Sequence, residues 1–479
     1  MRARLSSGII GSTGVLGAAL GWLLSFKILA CWLGPEGVGL FGQLRQIVQT
    51  ATLVATYGGT NVMVQGLTSR GDEASRTQLR AAAFRLFGLT GLGLVLLILV
   101  FAPQLTRLAL SSDSPELVSA VRWLALAVLL NSAATYYLAL LNGYHSHTYM
   151  ALAQSAGPLL LPVFLWANLS DTQVGGGSLA MALVFCFGVS CFAGIWGTSR
   201  LRLAKMKVED AGLPAQKLTE FRHFALFNLL AVLSSVIVLL IIRAWIIEAK
   251  GLEFAGLFEA GWMLTFNYTT LLLTACNTFY LPMLTAANGV GQQKACMLKV
   301  AYGVLGGSIL VCYSMIVWQE TLINLLYSPR FDASGEALSI LVIAVMLRGV
   351  SWVYGTLLVA TRQARVLLVS DLTLSLGLLV TVRYVLDTHV SLDALGWAFV
   401  LPHFLYLIFI VEYVRHNNSL MYRRHILPLL LVAVAPLLYL AVLPEHLRWP
   451  NTGHLHAFIL LVGLLLCGVI YRAFRKVTA

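Results

Sequence analysis

The chain has 479 residues, 59% hydrophobic and 11% charged. A soluble protein carries about 25% charged residues, so a soluble globular fold is excluded and an all-α polytopic membrane protein is expected. The net charge of +12 would suggest nucleic acid in a soluble chain. Here the cations cluster in short loops on one side, with no aromatic-and-basic stripe, so they point to a membrane surface and not to nucleic acid.

Hydropathy predicts fourteen transmembrane helices, at about 7–33, 38–66, 81–102, 117–141, 147–170, 176–201, 219–247, 252–286, 297–318, 337–360, 364–386, 390–414, 425–443 and 455–471. The first apolar run is too long for a cleaved signal segment and reads as the first span. Loops on one side carry Arg70, Arg76, Arg80, Arg200, Lys217, Lys294, Arg365 and Arg424, whereas the opposite loops carry mainly Glu36, Asp113, Glu253, Asp332 and Asp393. Both termini are therefore expected to be cytoplasmic.

The first two spans form a hairpin, FKILACWLGPEGVGLFGQLRQ, with a turn at Gly34-Pro35-Glu36-Gly37. Counted from that turn, Lys27 is about seven residues deep and Arg45 about eight, which places both cations roughly 10 Å below one surface. Two readings are open. Either the pair snorkels or is neutralised by a packing partner such as Glu259, or it faces a cavity to hold an anionic substrate. Arginine suits phosphate through its fork of donors, and lysine adds a point charge.

After the sixth span comes a basic stretch, RLRLAKMKVEDAGLPAQK. It divides the chain into an N-lobe (1–201), a linker (202–218), a C-lobe (219–415) and a C-terminal helix pair (416–479). An internal repeat supports two pseudo-repeated six-helix lobes. At one offset of 217, Gly39-Leu40-Phe41 recurs as Gly256-Leu257-Phe258, Leu105, Leu108 and Ser111 in PQLTRLALSS match Leu322, Leu325 and Ser328 in QETLINLLYS, and Leu140-Leu141 matches Leu357-Leu358. Lobes of equal topology enclose a central cavity. The matched segments after spans three and nine read as short amphipathic pieces at the outer interface.

Other charges fall inside predicted spans. Arg348, in VIAVMLRGVSWVY, lies near the bilayer midplane, where an arginine needs water or a partner. Glu259 reads as a counter-ion, a proton-coupling carboxylate or a neutral group near lipid. Asp371 reads as the partner of Arg362 or Arg365, or as an ion-coupling residue. Arg122, Arg243 and Arg383 read as interfacial anchors. Phe258, Trp262, Phe266 and Tyr268 read as packing or lipid-facing surface, and Trp352 and Tyr354 as packing or a sugar platform. The seven cysteines lack metal-ligand spacing, so no metal site and no cofactor is expected. No GxSxG, HExxH or P-loop is present, so a transporter is expected, not an enzyme or an ATP-driven pump.

The hairpin with Lys27, GPEGVGLFGQLRQ through Arg45, GLFEAGWM, FYLPMLT, LINLLYSPRF, MLRGVSWVYG and ARVLLVSD together resemble the Wzx-type flippases and O-antigen translocases. These belong to the multidrug/oligosaccharidyl-lipid/polysaccharide exporter superfamily, and the likeness is greatest to the lipid III flippases of enterobacterial common antigen. The resemblance spans about residues 8–415. It implies an inner-membrane protein that moves undecaprenyl-pyrophosphate-linked oligosaccharide to the periplasmic leaflet, with the bilayer, a polysaccharide polymerase and a chain-length regulator as partners. Lys27, Arg45 and Arg348 fall where that family places basic residues, Glu259 where it places a polar one, and Asp371 where it places an acidic one. The alternatives are a multidrug/cation antiporter or a lipid II flippase of the same superfamily and, from a different class, a membrane polysaccharide polymerase or ligase.

Overall fold

The computed structural model describes residues 2–57, 60–69, 73–168, 175–201, 215–267, 290–361, 363–388, 391–417, 426–442 and 461–470, with scattered positions at 269–289 and Arg472. Of the expected linker at 202–218, residues 202–214 lie outside the described residues and 215–218 are already helical. Among those described there are helices and no strand. Fifteen elements carry the fold: α1 (Arg2–Trp32), α2 (Gly34–Ala55), α3 (Thr60–Ser69), α4 (Glu73–Val100), α5 (Ala102–Leu110), α6 (Pro115–Gly143), α7 (His147–Asn168), α8 (Gly176–Arg200), α9 (Ala215–Trp262), α10 (Val290–Val317), α11 (Gln319–Leu326), α12 (Ser334–Ala360), α13 (Ala364–Thr388), α14 (Leu392–Asn417) and α15 (Ile426–Val442). A further apolar helix covers Leu461–Ile470. Nine of these elements are long and apolar enough to cross a membrane. The chain is a multi-pass membrane protein.

Contacts group the chain into two compact units, Met1–Gly256 and Leu257–Ala479. In the first, α1 lies along α7 because Gly14, Gly17 and Gly21 present no side chain. A Cβ at those positions would run into Ala151, Ser155 and Pro158. Small-residue stripes allow such close approach where the hydrophobic effect between helices is weak.

The hairpin turn is tighter than the sequence suggests. Helix α1 ends at Trp32 and α2 begins at Gly34, so the four-residue turn expected at Gly34–Gly37 is already helical. Gly34 takes a left-handed φ of 66° to reverse the chain, and Pro35 occupies the first turn, where its missing N–H is harmless. Arg45 is therefore eleven residues inside its helix, about 16 Å from the hairpin end, while Lys27, five residues before Trp32, is about 8 Å from it. The two cations do not share one depth.

The span expected at 38–66 is two helices. Helix α2 stops at Thr56, whose hydroxyl donates back to the Thr52 carbonyl at 2.9 Å, and Tyr57 turns left-handed at φ 52°. The expected amphipathic pieces are present as α5 and α11, each entered after a single residue from the preceding long helix. Helix α9 passes through Gly251, non-helical at φ 82°, where spans 219–247 and 252–286 were expected to meet.

Beyond Gly251 the chain presses on α2 inside the first unit. A Cβ on Gly39 would meet the Leu252 carbonyl, and one on Gly256 would meet the Pro35 carbonyl. In the second unit, α12 is buried along most of its length. The C-terminal helices dock on α10: Tyr313 donates to the Ala433 carbonyl at 2.7 Å and the Cys467 thiol to the Gly306 carbonyl at 3.6 Å.

Gly256→Ala and Gly39→Val are expected to destabilise the purified protein by about 1–3 kcal/mol through overpacking against backbone. Gly303→Ala, where no atom lies within 4 Å of the new Cβ, is expected to be neutral. Thermal unfolding in detergent, followed by tryptophan fluorescence, checks the contrast.

Candidate functional site

In the first unit the polar side chains concentrate on α2. Gln43 donates to the Ala109 carbonyl at 2.8 Å and Gln46 to the Val236 carbonyl at 3.2 Å. Arg243, on α9, donates through one Nη to the Gly42 carbonyl at 3.3 Å and to Gln46 Oε1 at 3.2 Å. It is only 7% exposed. This corrects its expected role: Arg243 is no interfacial anchor but a buried clamp on the backbone one turn before Arg45. Long helices make depth hard to count from sequence, and that is why the clamp was missed.

Arg45 is half-buried. Its guanidinium sits 4.1 Å from the centre of the Trp22 ring and 5.9 Å from that of Phe26, both on α1. Trp22 lies ten residues before the end of α1, so the charged head stays about 15 Å from the hairpin end. It does not reach back toward the nearby surface. The cation–π geometry holds the charge in place without removing it. Trp22 is in turn braced by Phe41 and Phe187, each with ring centres 6.4 Å away. Lys27 is half-buried one residue beyond Phe26.

The second unit holds Arg348, Glu259 and Asp371. Arg348, half-buried on α12, places its guanidinium 5.3 Å from the centre of the Phe266 ring. Asp371 accepts a hydrogen bond from the Tyr406 hydroxyl at 3.0 Å, and it feels the Arg348 charge. The structure thus joins Asp371 to Arg348 and Tyr406. The expected alternative partner Arg362 lies outside the described residues, while Arg365 is exposed. Glu259 is buried on α9, 3% exposed.

The aromatic residues near Glu259 form a packed wall. Trp262 and Phe266 stack with ring centres 4.0 Å apart across a π-helical turn at Met263–Asn267. Phe399 closes on both, at 5.3 and 6.2 Å. Phe258 and Phe266 are buried, so these two are packing surface and not lipid-facing; Tyr268 lies outside the described residues. Tyr280 packs on Trp352 and donates to the Val353 carbonyl at 3.1 Å. His403, beside Pro402 in α14, was not singled out from sequence. Its ring centre is 5.5 Å from that of Phe266, and Nδ1 lies 2.8 Å from the Phe399 carbonyl. A carbonyl only accepts, so Nδ1 carries a proton and donates it in this contact. Arg383 forms an exposed ion pair with Asp387 at 3.1 Å, and Arg415 one with Glu412, both fitting interfacial roles. Among the described residues, no group of three or more metal-ligating side chains occurs.

No family model matches the chain. It is similar to proteins named lipid III flippase from Escherichia coli strain K12 and from Shigella flexneri, each 22% identical over 380 residues, covering 78% of this chain and 89% of theirs. Among solved structures it is similar to lipid II flippase MurJ in an inward closed conformation, with a TM-score of 0.71 and 12% identity over 98% of this chain and 99% of that one. An inward-facing multidrug resistance MATE family transporter of the MOP superfamily matches with a TM-score of 0.69 and 14% identity, over 84% and 94% of the two chains. The fold is that of MOP-superfamily transporters. The named relatives are flippases and transporters, not enzymes.

Arg243→Gln is expected to leave the Gly42 carbonyl and Gln46 under-bonded and to destabilise the protein by about 1–3 kcal/mol. Tyr406→Phe removes one hydroxyl donor and is expected to cost about 1 kcal/mol. Urea unfolding of detergent-solubilised protein would rank the two.

Proposed function

We propose that this chain is a flippase for undecaprenyl-pyrophosphate-linked oligosaccharide of the O-antigen or common-antigen type. It moves the lipid from the cytoplasmic to the periplasmic leaflet of the bacterial inner membrane by alternating access, with both termini cytoplasmic. The observation that carries this reading is Arg45: a half-buried arginine deep in the helix, its guanidinium held over Trp22 instead of turned to the near surface. A fixed cation in a low-dielectric setting attracts a pyrophosphate far more strongly than one in water. Lys27, Arg45 and Arg348 bind the diphosphate. Glu259 and Asp371 serve as counter-ions or couple transport to ions. The repeat lobes, 1–201 and 219–415, rock to alternate access; 202–218 links them, and the pair at 416–479 lies outside the repeat. A polysaccharide polymerase and a chain-length regulator act on the product.

The lipid III flippase relatives and the MurJ fold support a lipid-linked substrate. Lipid II is the second reading, favoured by the near-complete alignment with MurJ. A multidrug/cation antiporter fits less well, since cationic cargo prefers acidic surroundings and Arg45 and Arg348 are basic.

In proteoliposomes carrying undecaprenyl-pyrophosphate oligosaccharide, the wild type is expected to expose the sugar on the opposite leaflet. Arg45→Ala and Arg348→Ala, matched for folding and insertion, are expected to lose at least tenfold in rate, the scale of one removed charged contact. Equal rates for all three proteins would remove the pyrophosphate assignment. Transport of cationic dyes by a wild type that moves no lipid would favour the antiporter.

A further inference from the structure

Sixteen of the 22 residues of α2 are buried, and the polar ones among them are engaged internally. Gln43, Gln46 and Thr50 bond to the carbonyls of Ala109, Val236 and Gln46, and Thr52 accepts from Asn131. Gln49 differs. It is exposed, one helical turn beyond half-buried Arg45, so the two share a stripe at i and i+4. Gln49 lies fifteen residues past Gly34, about 22 Å from the hairpin end and within the roughly 30 Å of hydrocarbon. An amide facing lipid at that depth would cost several kcal/mol. The stripe therefore faces water or a polar ligand.

Asn131, on α6, adjoins this stripe. It is partly exposed and its amide donates to Thr52 Oγ1 at 3.0 Å, three residues along α2 from Gln49. The donated bond leaves the Asn131 carbonyl oxygen as an acceptor. Its register is informative. The repeat offset of 217 carries Asn131 onto Arg348, so one slot of the repeat holds a cation in the second unit and a neutral amide in the first. Guanidinium groups only donate and suit phosphate. Amides both donate and accept, which suits the hydroxyl and acetamido groups of a sugar.

We propose that Gln49 and Asn131 form a saccharide-contact subsite in the first unit, beside the phosphate-binding Arg45. The inference rests on the flippase reading above and assigns the division of labour within it. Cations hold the diphosphate, and the two amides select for the sugar attached to it.

The test measures binding and flipping of two probes: undecaprenyl pyrophosphate alone, and the same lipid bearing an N-acetylglucosamine disaccharide. Gln49→Leu and Asn131→Leu, with the conservative Gln49→Asn, are checked first for unchanged melting temperature. Where Asn131→Leu perturbs the Thr52 contact and fails that check, Asn131→Asp replaces it. For Gln49→Leu and the Asn131 variant, the disaccharide lipid is expected to bind about tenfold more weakly and flip proportionally slower. Binding of sugar-free lipid should stay within twofold, and Gln49→Asn should recover part of the loss. Arg45→Ala is expected to weaken both probes alike. Equal behaviour of the amide variants on the two probes, changed or unchanged, overturns the saccharide subsite while leaving the Arg45 assignment standing. A wild type that binds neither probe overturns the flippase reading itself.

Discussion

A polar side chain inside a bilayer must find a protein partner or water, since hydrocarbon offers neither donor nor acceptor. Helix α2 is built around that constraint. Its buried face spends glutamines and threonines on backbone carbonyls of other elements and of its own preceding turn. These bonds fix the helix in rotation. Once α2 cannot turn, Arg45 and Gln49 must stay on the accessible stripe. Arg243 strengthens the lock from α9 by gripping Gly42 and Gln46 together. The position of Arg45 thus follows from a set of hydrogen bonds about one turn away from it.

The second unit solves the same problem with different chemistry. Arg348 lies over an aromatic wall in which Trp262, Phe266 and Phe399 interlock. A π-helical turn at Met263–Asn267 changes the angular spacing, so that Trp262 and Phe266 lie face to face. Such turns are concentrated at functional sites, because they re-aim side chains that a regular helix would splay. Asp371, held by Tyr406, balances part of the cation's charge from α13. The arginine thus meets a ring face and lies in the field of a carboxylate.

The backbone devices of the repeat were largely legible in the sequence, and its side-chain chemistry less so. The offset of 217 led to the paired short helices α5 and α11. It also maps Gly34 onto Gly251, both left-handed, and Gly39 onto Gly256, which meet backbone to backbone. Glycines and short amphipathic pieces announce themselves because few residues can replace them. Depth was misjudged where Gly-Pro-Glu-Gly reads as a turn, although Pro35 is compatible with a helical first turn. Partners such as Trp22, Tyr406 and His403 come from helices far apart in sequence, and no local pattern names them. The signal for Arg243 was present as an arginine in an apolar run, yet its burial depended on where α9 meets α2.

Helix α2 is 22 residues long, about 33 Å, as long as α7, which qualifies as an apolar span, yet it is not among those nine. Gln43, Arg45, Gln46 and Gln49 lower its hydropathy. A hydropathy threshold reads composition and not surroundings, for buried α12, which carries Arg348, passes it. The loss of apolar character in α2 instead reflects polar side chains that need protein or water around them. A lone arginine can reach an interface along its own stem, whereas a helix carrying glutamines at three successive turns has to be surrounded by protein and water.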